Sequence, residues 1–280
     1  MQVNETALVG VGLRQAHYQA VIDRAPSLGW FEVHSENYFN PGGPNHYFLQ
    51  CVRDRYPLSL HGVGLSVGST DPLDMRYLAS LKHLIERYEP FLVSDHMSWS
   101  RHNGEYFPDL YPLPFTEAVI EHLVSRIQQV QEFLGRQLIL ENVSSYVTFT
   151  ASQMSEWEFL NEITARSGCQ LLLDVNNVAV NSCNHGFAAE DFIAGIRTGS
   201  VAEIHLSGAT HKVINQQPFI IDSHDAEVAD GVWSLYRQAT ERFGAVPSLI
   251  EWDSQMPDLQ VLLDQAAIAS EILGGGVHAG

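Results

Sequence analysis

Short apolar runs alternate along this chain with stretches in which apolar residues return every three to four positions. The first pattern reads as strands buried on both faces, the second as helices with one face turned inward. It predicts a strand over Ala7–Gly12 and a helix over Gln15–Arg24, then a strand over Gly29–His34 and a helix over His46–Arg55. Pro57–His61 is the third strand. Asp71-Pro72 opens a helix that runs to Tyr88, with Leu78, Leu81, Leu84 and Ile85 at helical spacing. Phe91–Asp95 is the fourth strand, followed by a long loop from Trp99 to Pro114 and a helix over Thr116–Leu134. The fifth strand ends at Glu141 and the sixth covers Gln170–Asp174, with a helix from about Ser152 to Arg166 between them. An Asn-rich loop, Asn176–Asn184, leads to a helix over Ala188–Arg197. The seventh strand, Ala202–His205, is followed by a long polar loop, Ser207–Asp225, and a helix over Glu227–Phe243. Ser248–Glu251 is the eighth strand and Asp258–Leu273 the last helix. Gly274–Gly280 is expected to be a flexible tail.

Repeated strand–helix units without a linker imply a parallel sheet, and eight of them close most simply into a (β/α)8 TIM barrel. The expectation is one α/β domain over residues 1–280. An open doubly wound sheet is the alternative. No GxGxxG follows the first strand, and the polar residues are spread over many strands rather than gathered at one switch point.

The strand ends carry the chemistry. The apolar runs close on His61, His96, Glu141, Asp174, His205 and Glu251. An acid at the end of a buried strand needs a partner. Neighbouring parallel strands lie about 4.8 Å apart, so side chains at their C-terminal ends converge over the barrel mouth. Asp222 and His224, in Ile221-Asp-Ser-His224, point to the same side if their backbone is extended. Helix capping explains a strand-end Asp but does not recruit histidine. A mixed imidazole and carboxylate set without sulfur suits zinc, iron or manganese and does not choose among them. Glu141, with two carboxylate oxygens, could bridge two ions.

Composition narrows the field. The formal charge of -18, from 33 acids and 15 bases, argues against a nucleic-acid partner. Bound cations would offset part of it. The cysteines, Cys51, Cys169 and Cys183, form no CxxC and no disulfide framework, as expected in a reducing compartment. Met1–Glu5 lacks the basic and apolar segments of a signal peptide, and no apolar run is long enough to span a membrane. A cytoplasmic location is expected.

The ligand order resembles that of endonuclease IV and the xylose isomerase-like barrels, which use a trinuclear site. Two histidines and a bridging Glu precede an Asp with a His three residues on; a His, a D-x-H pair and a final Glu follow. His61, His96, Glu141, Asp174, His205, Asp222, His224 and Glu251 match, while Asn177 stands where that pattern has its third-residue histidine.

Seven longer stretches carry a more specific resemblance. They are Phe31-Glu-Val-His-Ser-Glu-Asn-Tyr38, Leu60-His-Gly-Val-Gly-Leu65, Val93-Ser-Asp-His96, Pro112-Leu-Pro-Phe-Thr116, Ile139-Leu-Glu-Asn142, Leu173-Asp-Val-Asn-Asn177 and Glu203-Ile-His-Leu206. They are similar to the multinuclear non-heme iron-dependent oxidases, relatives of the methanobactin-biosynthesis oxidase. The resemblance implies two or three irons, dioxygen as co-substrate, and oxidation of a cysteine in a ribosomally made precursor peptide. It also implies a partner protein that holds the peptide leader. It assigns Glu141 as the bridge, with His61 and His96 on one iron and Asp174, His205 and Glu251 on the other. Asp222, His224 and Asn177 would hold a third, or tune the surroundings of the ligands. Asp95 and His185 are candidate catalytic groups; Glu36, Asn142 and Trp99 are candidate substrate contacts, as is His34, and Tyr106 and Tyr111 are candidates to line a peptide groove with Trp99. The alternatives are a metal-dependent sugar isomerase or epimerase and an endonuclease IV-like phosphodiesterase.

Overall fold

Each apolar run forms a strand beside the run that precedes it. In chain order the strands are β1 (Val9–Gly12), β2 (Trp30–His34), β3 (Leu58–Gly62), β4 (Leu92–His96), β5 (Trp99–His102), β6 (Glu105–Tyr111), β7 (Ile139–Glu141), β8 (Gln170–Asp174), β9 (Val201–Leu206), β10 (Thr210–Ile214), β11 (Gln217–Ile221) and β12 (Ser248–Ile250). The structure, a computed structural model that describes residues 8–277, closes β1, β2, β3, β4, β7, β8, β9 and β12 into a parallel barrel in that order. The start of the first expected strand at Ala7, the segment Met1–Glu5 and the last residues of the expected tail, 278–280, lie outside the described residues.

Helices α1 (Tyr18–Arg24), α2 (Pro44–Arg53), α3 (Met75–Tyr88), α4 (Glu117–Leu134), α5 (Glu156–Ser167), α6 (Val175–His185), α7 (Ala189–Gly195), α8 (Asp230–Phe243) and α9 (Leu259–Val277) connect the strands. Their apolar stripes are buried, as at Leu78, Leu81 and Leu84 of α3 and Ile120, Leu123, Ile127 and Val130 of α4. Caps set the starts. Asp74 accepts from the backbone N–H of Arg76 and Tyr77, so α3 begins at Met75 rather than at Asp71. Ser155 and Glu158 form a capping box at the start of α5.

Both long loops at the barrel mouth contain hairpins. β5 pairs with β6 and β10 with β11, antiparallel in each case. Each turn holds two left-handed residues, Asn103 (φ 51°) with Gly104 (φ 80°) and Asn215 (φ 51°) with Gln216 (φ 65°). That is the turn whose twist suits a two-residue hairpin, and Asn-Gly is its strongest sequence signal. The expected Asn-rich loop is instead α6, capped by Asp174 through the N–H of Asn177. The expected tail continues α9 as far as Val277.

Candidate metal centre

Register brings the strand ends together. His34 lies opposite His61, His96 opposite Glu141, and Asp174 opposite His205. His61, Glu141, Asp174 and His205 are all at most 1% exposed.

The first group is His61, His96 and Glu141, whose ligand atoms lie within 4.8 Å of one another. Both Nε2 atoms stand 3.3 Å from Glu141 Oε2 and 3.4 Å from each other. His96 turns its Nδ1 to the carbonyl of Gly62, and His61 turns its own to Ser94 Oγ. Those partners favour a proton on Nδ1 and leave a lone pair on each Nε2, as in metal-bound histidines. Burial pushes both imidazoles below their usual pKa, His96 to about 4, so they are neutral at pH 7. Three acceptors thus face one another, and Glu141 Oε2 is buried without a hydrogen-bond partner. Such an arrangement is repulsive unless a cation lies between them. Ligand atoms about 2.1 Å from one ion stand about 3.0–3.4 Å apart, which matches this spacing.

The second group, Glu141, Asp174 and His205, shares Glu141 with the first; a third, Asp174, His224 and Glu251, shares Asp174 with the second. Asp174 Oδ2 is again buried and unpartnered. Burial and the charges of Asp222 and Glu251 push the Asp174 carboxyl up to about 7. Glu251 Oε2 stands 3.2 Å from Nδ1 of both His205 and His224. His224 Nε2 approaches Asp222 to 2.6 Å, and Asn176 donates to the same Asp222 oxygen. His224 reaches this position with a left-handed backbone, φ 45°, so the D-x-H segment is bent rather than extended.

Asn177 is buried beside the cluster. Its Nδ2 donates to Glu141 Oε1 and to the carbonyl of Asn142, and its Oδ1 is unpartnered. Asn142 spans the backbone of Asp174. Asp95 accepts from the N–H of His96 and Leu65 and from Tyr77, whose hydroxyl also meets Glu36. Glu36 in turn accepts from the N–H of Val63 and Gly64. Asp95 and Glu36 therefore brace the turn after β3. Trp99 stacks on Tyr111 in the first hairpin, and Tyr106 is exposed there. His185 is separate from the cluster. It ends α6, eight residues beyond Asn177, which is about 12 Å along a helix. Its Nε2 meets the carbonyl of Ser145.

The sequence reading missed two acids inside the barrel. Glu32 and Glu203 are fully buried, and their Oε1 atoms lie 3.4 and 3.6 Å from His205 Nε2. Burial works against a charge on His205, but Glu32 and Glu251 outweigh it and hold the imidazole well above its usual pKa. Burial and the neighbouring Glu32 charge push Glu203 up to about 8. The signal was available: Glu32 precedes His34 by two and Glu203 precedes His205 by two, so each pair shares a strand face. Asp253 and Arg14 were also missed; they pair with each other beside His34 and Glu251.

A family of RiPP precursor modification enzymes, MbnB/TglH/ChrH, matches residues 8–274. The chain belongs to that family. Its members act on ribosomally made precursors, so the substrate class is a peptide. Among similar proteins, a UPF0276 protein of Acaryochloris marina is 47% identical over 264 residues, covering 94% of each chain. One of an Anaeromyxobacter species is 48% identical over 263 residues, covering 94% of this chain and 92% of its own. In fold, the chain is similar to D-psicose 3-epimerase of Clostridium cellulolyticum, with TM-score 0.61, 11% identity and coverage of 96% and 98%. It is likewise similar to endonuclease IV of Thermus thermophilus, with TM-score 0.56, 13% identity and coverage of 97% and 99%. These likenesses show a xylose isomerase-like TIM barrel. Among the described residues no helix is long and apolar enough to cross a membrane.

Proposed function

We propose that this enzyme holds two or three iron ions at the barrel mouth and uses dioxygen to oxidise a cysteine of its precursor peptide. The observation that carries the reading is Glu141, whose unpartnered Oε2 faces two neutral imidazoles while its carboxylate also belongs to the Asp174–His205 group. His61, His96 and Glu141 would hold one ion; Glu141, Asp174, His205 and Glu251 a second; His224 and Asp222 a third, while Asn177 donates to Glu141. Iron there supplies a Lewis acid for a substrate thiolate and electrons for dioxygen. The family supports a peptide substrate. Iron rests on the resemblance to the iron-dependent oxidases, because the donor set alone suits zinc and manganese equally.

The chain's own residues do the rest. Gly62 and Ser94 orient the imidazoles, Asn142 and Asn177 fix the two central carboxylates, and burial excludes water. Asp95 and Glu36 hold the turn that follows Gly62. A leader-binding partner protein, which the family resemblance implies, would deliver the peptide.

The test is anaerobic purification, metal analysis, and oxygen uptake with the precursor peptide. Iron above one per chain, with peptide-dependent oxygen uptake and a mass change in the peptide, is expected. Zinc or manganese alone with no oxygen uptake would refute the proposal.

A further inference from the structure

A cavity of about 620 Å³ lies outside the barrel between the β10–β11 hairpin, α6 and α8. Small side chains, Ala179 and Cys183 among them, form its α6 wall, and Gly231 and Val232 line it from α8. His211 of β10 and Ile220 of β11 close it from the hairpin.

The hairpin treats its two edges differently. Ile214 and Gln217 flank the two-residue turn, so they form a hydrogen-bonded pair, as do Lys212 and Phe219. His211 and Val213 then turn their N–H and C=O groups away from β11. The same alternation turns Ile220 away from β10, and there Asn184 seals the edge. Its Nδ2 donates to the Ile220 carbonyl and its Oδ1 accepts the Ile220 N–H, both at 2.9 Å. Pro218, opposite Val213, has no N–H to satisfy. The β11 edge is thus closed and, among the described residues, the β10 edge is open, although an open edge is a ready template for another strand. Val213 is 76% exposed and Ile214 47%.

We infer that the open β10 edge and the adjoining cavity take an extended segment of the precursor peptide as an added strand. This rests on the peptide-modifying reading above. Three observations choose this occupant. The family's substrate is a peptide, which can match unpaired backbone groups residue for residue. The groove reaches the metal centre, since Asn176 lines it and donates to Asp222 beside His224. The base of the hairpin is tied there too, with Thr210 bonded to Ser223 and Asp225. A strand on β10 would run about 17 Å, at about 3.4 Å per residue, and end beside the cluster.

The test uses the protein as purified anaerobically and a fluorescein-labelled copy of the precursor peptide with its cysteines changed to serine, so that no thiol–metal bond contributes. Cys51→Ser leaves Cys183 as the partly exposed thiol, Cys169 being buried. Saturating peptide is expected to slow alkylation of Cys183 by iodoacetamide at least tenfold. Val213→Pro removes an outward N–H without touching the hairpin's own ladder, and Ala179→Phe fills the groove; each is expected to weaken binding at least tenfold. Peptide that binds while Cys183 alkylation and both variants are unchanged overturns the groove and leaves the iron reading standing. Absence of binding to the wild type also overturns it. Protection of Cys183 in an enzyme that never oxidises the peptide supports the groove and refutes the iron chemistry.

Discussion

The side-chain amide of Asn142 clasps the backbone of Asp174 at both ends. Its Oδ1 accepts the Asp174 N–H at 2.9 Å and its Nδ2 donates to the Asp174 carbonyl at 3.0 Å. Asn142 follows Glu141 directly, so the clasp fixes the distance between the two carboxylates that the proposed adjacent metal positions would share.

Asn142→Ala would orphan both buried backbone groups, at about 1–3 kcal/mol each. The expected outcome is a lower melting temperature together with loss of the ion between Glu141 and Asp174, read as a fall in metal stoichiometry. Support of this kind changes metal affinity by about 10–100-fold. A variant with the wild-type stoichiometry would show that Asn142 does not set this spacing.

Gly62 has no room for a side chain, because a Cβ there would overlap Asp95 Oδ2. Its carbonyl also receives His96 Nδ1. Gly62→Ala is expected to cost roughly 1–3 kcal/mol through overpacking and to weaken the ion held by His61 and His96. Thermal unfolding and metal titration check the two effects separately.

Glu156 begins α5 beside the apolar cavity of about 290 Å³ that Trp157 and His185 also line. Partial burial at the cavity wall pushes its carboxyl up to about 8, against a donor from Asn181. A raised folded-state value means that the folded chain binds more protons than the unfolded chain between about pH 4.5 and 8. The stability this group contributes is therefore complete below that window and lost as pH rises through it. Glu156→Gln is expected to melt above the wild type at pH 8, with the gap closing at pH 5. An equal gap at both values would contradict this.

The barrel and the strand-end residues were legible because a parallel strand is a short apolar run, and a His or acid at its end breaks that pattern visibly. Glu32 and Glu203 were overlooked because they sit inside such runs, although both share a face with a histidine two residues on. The segment 176–184 was taken for a loop because asparagine ordinarily competes with helical hydrogen bonding. Here Asn176, Asn177, Asn181 and Asn184 spend their amides on Asp222, Asn142, Val143 and Ile220, and Asp174 caps the helix. The hairpin at Asn103-Gly104 was readable from that dipeptide alone. The turn at Asn215-Gln216 lacks the glycine that marks this class.

Glu141 is proposed to be shared between adjacent metal positions. The direct measurement is iron per chain in anaerobically reconstituted wild-type protein and in Glu141→Gln, which keeps the shape of the side chain and removes its charge. Two or three irons are expected in the wild type and at most one in the variant. Equal iron in both would contradict the sharing.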